Sequence, residues 1–242
     1  YLQIFKGDEI EFPEDGYQGE DIKDLAKEYA DLNGDSLVNV SAEERKKALV
    51  YYALPKNIKK MQADMEKYKI FYDKWFFESE LHKSGAVKAV VDLLTKKGLT
   101  YEKDGAVWYK NKEVLTQKLL KEGKSQKYID NLELKDDVLI RHNGNPTYFT
   151  ADIAYHKNKF DRGFTTLIDV WGADHHGHVM RMKGAMDAIG YDGDKLNVVL
   201  MQLVKLVKDG ELVRISKRTG KAIQLGDLLD EVPVDSARFL FN

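Results

Sequence analysis

The sequence predicts an α/β fold built on a parallel sheet, with a mostly helical insertion before it and the start of a helical stem after it. Three observations carry this. "TTLIDVW" (165–171) and "LNVVLMQLV" (196–204) are apolar runs of strand length, and the helical pattern "HGHVMRMKGAMDAIG" (176–190) separates them. Strand, helix, strand in that order makes a βαβ unit and therefore a parallel pair. Residues 1–68 repeat their apolar positions at helical spacing. The 242 residues suffice for one large domain or two small ones with a buried core.

Along the chain, "DIKDLAKEYADL" (21–32) reads as a helix. "SAEERKKALVYYAL" (41–54) opens with a capping box, Ser41 and Glu44. Pro55 lacks a donor and is expected to kink or restart that helix before "NIKKMQADMEKYKI". The aromatic run "KIFYDKWFF" (69–77) predicts a strand. "SGAVKAVVDLLTKKG" predicts an amphipathic helix closed near Gly98, and "LTYEKDGAVWYK" a hairpin turning at Asp104-Gly105. A Lys-rich helical link then leads to the strand of "DDVLIRHNGNPTYF" and its Asn143-Gly144 turn. "TADIAYHKNKF" (150–160) is helical, and Gly190 closes the helix of the βαβ unit. The expected division is 1–68 helical insertion, 69–205 sheet-containing domain with a hairpin insertion near 100–142, and 206–242 a basic loop with the first stem helices.

Composition excludes several classes. Lys and Arg number 38 against 40 Asp and Glu, a net charge of −2, so the chain has no global attraction for nucleic acid. With no cysteine there is no disulfide, thiolate metal site or Cys nucleophile, and a reducing, cytoplasmic setting is expected. No apolar run approaches the ~20 residues of a membrane span. The chain opens at Tyr1 and stops at "ARFLFN", both inside apolar patterns, and reads as a piece of a longer protein.

Parallel sheets are ordinarily covered on both faces, and their ligands sit at the carboxyl ends of the strands. "VWGADHHGHVM" (170–180) falls at such an end. A metal site there would need convergent ligands. His175 and His176 diverge on a helix, whereas His175 with His178, or Asp174 with His178, could share an ion. There is no HExxH arrangement and no second acid–His cluster. Plain structural histidines are another reading. A nucleotide site is the third: Gly172 where backbone approaches a ligand, Asp174 for ribose hydroxyls, and a helix N-terminus for phosphate. "GELVRISKRTGKAIQLGDLL" (210–229) offers Arg214, Ser216 and Lys217 as a cationic loop able to neutralise a leaving pyrophosphate. The same string could be an exposed basic loop on the hairpin "KDGELVRI".

Taken together, "DDVLIRHNGNPTYFTADIAYHKNKF", "VWGADHHGHVMRMKGAMDAIGYD" and "VRISKRTGKAIQLGDLLDEVPVDSARFLF" resemble, in order and spacing, the catalytic domain of class I arginyl-tRNA synthetases. "RISKR" is similar to that class's KMSKS signature, with Arg214 where Lys is usual. The resemblance implies the second half of a Rossmann-like parallel sheet. It implies that Tyr148 and Asp152 read the arginine side chain, and a carboxylate does accept a guanidinium fork bidentately. Glu78 would lie near the substrate amino group, and His175 would also face the substrate. Gly172, Asp174 and His175 would line the ATP pocket, and Ser216, Lys217 and Arg214 would hold its phosphates. The HIGH-type motif belongs to a first half that would precede Tyr1; the letters H-H-G-H at 175–178 follow the wrong strand and are a coincidence.

The implied activity is activation of arginine by ATP, with Mg2+ accompanying it as substrate, and transfer to tRNA(Arg). No tightly bound protein metal and no membrane partner are expected. The missing first half and an anticodon-binding domain would act in cis, and this chain alone is expected not to form adenylate. Two rival readings are a DHH-type metal-dependent phosphoesterase built around Asp174-His175-His176 and a non-catalytic synthetase-like binding module.

Overall fold

A computed structural model describes residues 1–7, 10–11, 16–17, 19–202, 204–205, 207–208, 211–212 and 224–241. The chain divides into two compact units, Lys74–Leu203 and a discontinuous one formed by Tyr1–Asp73 with Val204–Asn242. The first and last segments, read separately from the sequence, thus share one unit.

The discontinuous unit begins with α1 (Leu2–Lys6), α2 (Glu20–Asn33) and α3 (Ala42–Lys67). The capping box forms: the Glu44 N–H donates to Ser41 Oγ, and Glu44 Oε2 accepts from the Ser41 N–H at 3.1 Å. Pro55 neither ends nor restarts the helix, contrary to expectation; α3 runs straight through it as one element of 26 residues. Pro55 and Tyr51, four residues earlier, are both exposed. The hydrogen bond lost to the proline therefore lies on the solvent side, where water can serve the orphaned carbonyl.

The sheet-containing unit follows. No strand forms over 69–77, another departure from the sequence reading. A strand needs a partner to take its N–H and C=O groups, and this segment pairs with none of the described strands. Its aromatics are used singly: Phe76 stacks on Tyr155 with centroids 4.7 Å apart, while Phe71 is exposed. Next come α4 (Glu78–Lys83) and α5 (Ala86–Lys96), then β1 (Thr100–Lys103) and β2 (Ala106–Tyr109). The hairpin turns at Asp104 and Gly105, both with positive φ (53° and 71°), the geometry that selects Asp-Gly. Helices α6 (Asn111–Lys121) and α7 (Gln126–Asp130) lead to β3 (Asp137–Ile140), which joins β2 antiparallel.

The βαβ unit closes this half. α8 (Tyr148–Asp161) precedes β4 (Leu167–Gly172), a short 3₁₀ turn (Ala173–His175), α9 (His176–Ile189) and β5 (Leu196–Met201). β4 and β5 pair in parallel from Leu167↔Leu196 to Gly172↔Met201. Gly190, at φ 103°, ends α9 in a conformation that a side chain would oppose. One core holds the unit together: Leu94 of α5, Leu139, Ile153, Leu167, Met182, Met186 and Leu196 are all buried in it. Each such side chain contributes ~1.5–3 kcal/mol.

Among the described residues, the expectation of a sheet covered on both faces does not hold. Leu167 and Leu196 are buried, but Ile168, Val170 and Val199 on the other face are 68%, 66% and 46% exposed. Apart from Asp169 and Asn197 the two strands are apolar on either face, yet the core shared with α8 and α9 takes in Leu167 and Leu196 and leaves Ile168, Val170 and Val199 out.

The chain then returns to the discontinuous unit with an antiparallel pair, β6 (Val207–Lys208) and β7 (Glu211–Leu212), followed by α10 (Leu225–Glu231) and α11 (Val234–Phe241). α10 and α11 dock beside the end of α3 through buried Leu229 and Ala237 and exposed ion pairs such as Lys69–Asp235 at 2.8 Å. Exposed pairs of this kind contribute ~0–1 kcal/mol each.

Candidate functional site

The site is built around the start of α8. Thr147 is its N-cap, with its hydroxyl accepting from the Thr150 N–H. The same hydroxyl donates to the Val138 carbonyl at 2.8 Å, and the Thr150 hydroxyl to the Leu139 carbonyl at 2.7 Å. These two bonds bolt the first turn of α8 to β3. Tyr148, the first residue of the helix, and Asp152 then lie four apart and face the same way.

Asp152 is the point at which three hollows meet. The first is lined by Tyr148, Phe149, Asp152, Asp174, His175 and His178, with Gly177 and Arg181. The second, of about 290 Å³, is lined by Glu78 together with Asp152, Phe76 and Tyr155. The third, of about 230 Å³, holds Asp152 with His156, Lys159, Asp169, Trp171, His175 and His178. The Asp152 side chain is about half exposed, and one of its oxygens lies 3.4 Å from His178 Nε2. Glu78 Oε1 lies 3.2 Å from His82 Nε2, one helical turn on.

At the rim, β4 ends at Gly172. A Cβ there would stand 2.4 Å from Asp174 Oδ1, the tip of an exposed side chain that folds back over the strand end and is free to swing aside. Asp174 and His175 are exposed, with Asp174 Oδ2 3.8 Å from His175 Nε2. His178, which spacing would have allowed to share a metal with either, instead faces Asp152 and packs edge-on against Phe149, ring centroids 5.5 Å apart. Among the described residues, no group of three or more His, Cys, Asp or Glu side chains could hold a metal ion. One turn further along α9, Arg181 grips Asp137 with two nitrogens and lies over the Phe149 ring at 4.9 Å. Burial pushes the Asp137 carboxyl above its ordinary range, with the Arg181 pairing pulling the other way.

The inner wall was not foreseen. His156, three percent exposed, bonds through Nδ1 to the Asp152 main-chain carbonyl at 2.7 Å and through Nε2 to Asp169 Oδ2. Lys159 Nζ donates to the other Asp169 oxygen at 2.8 Å. Burial pushes the Asp169 carboxyl up, but the hydrogen bonds and charges of His156 and Lys159 prevail and hold it below the usual carboxylate range. The sequence held one hint, a lone Asp in the middle of the apolar run "TTLIDVW".

Of the residues singled out from the sequence, Tyr148, Asp152, Asp174 and His175 line one hollow, and Glu78 joins Asp152 in another. Gly172 ends β4 without lining any of the three. Arg214, Ser216 and Lys217 lie outside the described residues.

Comparison with known proteins agrees with this architecture. Residues 37–241 match the family model described as tRNA synthetases class I (R), catalytic domain. The arginine–tRNA ligase of Caldanaerobacter subterraneus is 54% identical over 243 residues, and that of Ruminiclostridium cellulolyticum 51% over 244. Each is matched over 100% of this chain and 40% of its own length, so the chain spans about two fifths of these relatives. A crystal structure described as an arginyl-tRNA synthetase from Campylobacter jejuni superposes with a TM-score of 0.79 at 34% identity, covering 99% of this chain and 48% of that one. The Thermus thermophilus arginyl-tRNA synthetase shares the fold, with a TM-score of 0.58 at 18% identity over 85% of this chain and 39% of its own. Neither the metal-dependent phosphoesterase nor the binding-module alternative finds support in these matches.

Proposed function

Because this chain belongs to the arginine-type class I tRNA synthetase catalytic-domain family, we propose that the protein containing it joins arginine to tRNA(Arg) in the cytoplasm at the expense of ATP. The arginine carboxylate attacks the α-phosphate of Mg-ATP, giving arginyl-adenylate and pyrophosphate. A terminal ribose hydroxyl of the tRNA then takes the arginyl group. Catalysis is by positioning and charge stabilisation, without a covalent enzyme intermediate.

In this reading Asp152 accepts the guanidinium fork and Tyr148 adds a hydroxyl or ring contact. Glu78 faces the substrate ammonium, and His175 lies beside the substrate. Gly172, Asp174 and His175 form the nucleotide rim. Arg214, Ser216 and Lys217 neutralise the pyrophosphate as its charge develops. The observation that carries the reading is the convergence on Asp152 of hollows lined by Tyr148, by Glu78 and by Asp174 with His175.

The open face of the β4–β5 sheet belongs to the same reading. Ile168, Val170 and Val199 make an apolar surface that the first half of the catalytic domain, lying in the part of the relatives this chain does not span, would cover. An anticodon-binding domain would act in cis as well. The 242-residue chain by itself should therefore give no ATP–pyrophosphate exchange with arginine and tRNA supplied; robust turnover by it contradicts the proposal.

The decisive variant is Asp152→Ala in the full-length protein. Truncating one partner of a hydrogen-bonded charge pair costs ~2–5 kcal/mol. That is about thirtyfold or more in kcat/KM for arginine, at ~1.4 kcal/mol per tenfold, with the ATP KM little changed. Unaltered arginine kinetics defeat the assignment.

A further inference from the structure

We propose that His156, braced by Asp169 and Lys159, is a positioning residue that sets where Asp152 stands against the nucleotide rim. The inference rests on the reading of Asp152 as the arginine-recognising group.

In a regular helix the Asp152 carbonyl accepts the backbone N–H of residue 156. Here it also takes the His156 ring Nδ1 at 2.7 Å, so the imidazole folds back along its own helix. Nε2 is thereby aimed across at β4, where Asp169 receives it. Both ring nitrogens are thus engaged, one by the main chain of α8 and the other by a carboxylate on β4. Lys159, on the same side of α8, closes the other oxygen of Asp169 at 2.8 Å. Trp171 sets its edge against the imidazole, centroids 6.3 Å apart, and Lys159 Nζ lies 4.5 Å from the Tyr155 ring centre.

This is an expensive way to join a helix to a strand. His156 and Asp169 are 3% and 8% exposed. Buried ion groups commonly add no more stability than apolar side chains of the same volume. What they do add is one geometry, since each hydrogen bond fixes a distance and a direction. The fixed distance here runs from the main chain of Asp152 to Asp169. Three residues beyond Asp169, β4 ends at Gly172, and Asp174 and His175 follow at once. The chain of bonds therefore ties the amino-acid end of the site to its nucleotide end. An error of about 1 Å in such a spacing can cost on the order of a hundredfold in rate.

The test uses the full-length protein with His156→Gln, Asp169→Asn and the double variant, read by ATP–pyrophosphate exchange with arginine and tRNA present. We expect each single variant to raise the arginine KM about tenfold or more while the ATP KM stays within about twofold. The double variant should be no worse than the poorer single, because both break one linkage. If either variant fails to fold, Lys159→Gln carries the comparison with a smaller, roughly threefold rise in arginine KM, since one brace of Asp169 remains in place. A lowered melting temperature with unchanged KM values, or equal rises in both KM values, overturns the proposal and leaves the trio as structural glue. Wild-type exchange that does not depend on arginine, or an Asp152→Ala variant with normal arginine kinetics, sinks the reading of Asp152 itself. Normal wild-type and crippled Asp152→Ala behaviour beside unaffected His156→Gln and Asp169→Asn sinks the positioning role alone.

Discussion

On one side of the β4–β5 sheet, Leu167, Asp169 and Leu196 lie under α8 and α9, and the strand contributes both core and a buried ion cluster. On the other, Ile168, Val170 and Val199 present equally apolar side chains to solvent. Strand residues alternate between faces, so neighbours in sequence meet opposite environments. The difference teaches that hydrophobicity by itself does not say which face of a strand is buried; among the described residues only the packing of α8 and α9 decides it.

The sharpest way to break this comparison is on the inner face. Asp169→Ala leaves the buried His156 ring without its carboxylate partner and the half-buried Lys159 without its ion pair, and should cost ~3–5 kcal/mol in denaturant-monitored stability. A loss below about 1 kcal/mol would show that water already reaches the cluster. Leu196→Ala opens a cavity in a site with no exposed surface and should cost ~2–4 kcal/mol; repacking by Met182 and Met186 would show as a smaller loss.

The acid limb gives a subtler reading. Asp169's carboxyl sits below its ordinary value in the folded protein. Its contribution is fully present above the unfolded value of about 3.9 and is lost as pH falls through the lower, folded one. Stability measured from pH 5 downward should fall more steeply in the wild type than in Asp169→Asn; parallel curves would remove this carboxylate from the acid response. Smallest of all is Val170→Ser in the 242-residue chain, within about 0.5 kcal/mol because the position is open. In the full-length protein the same change should cost ~1.5–3 kcal/mol if a further region covers this face. Equal effects in the two settings would refute that cover.

Much of the architecture was legible because local rules and tertiary packing agreed. The Ser41–Glu44 box, the Asp104-Gly105 turn and the Gly190 stop each express a backbone requirement that a few adjacent residues meet by themselves. Two elements misled for the converse reason. Residues 69–77 have strand-forming side chains and no strand to pair with, and β propensity is chiefly a measure of fit to neighbours. Pro55 carries its usual penalty, but in an exposed turn of a long helix the lost bond is cheaply replaced by water.

The candidate site divides along the same line. Tyr148 and Asp152 could be paired from their spacing, since four residues is one helical turn, and the Asp174–His175 cluster could be put at a strand's carboxyl end by the βαβ order. That Glu78, seventy-four residues upstream of Asp152, shares a hollow with it could not be reached by any local rule. Nor could the bond between His156 and Asp169, one on a helix and the other on a strand. By itself, then, the sequence determined most of the elements, their order and many of the side chains able to do chemistry, because period, caps and turns act over a few bonds. The tertiary structure alone decided which face of the sheet is open and which charges are buried together. Those outcomes depend on distances between segments that share no local constraint.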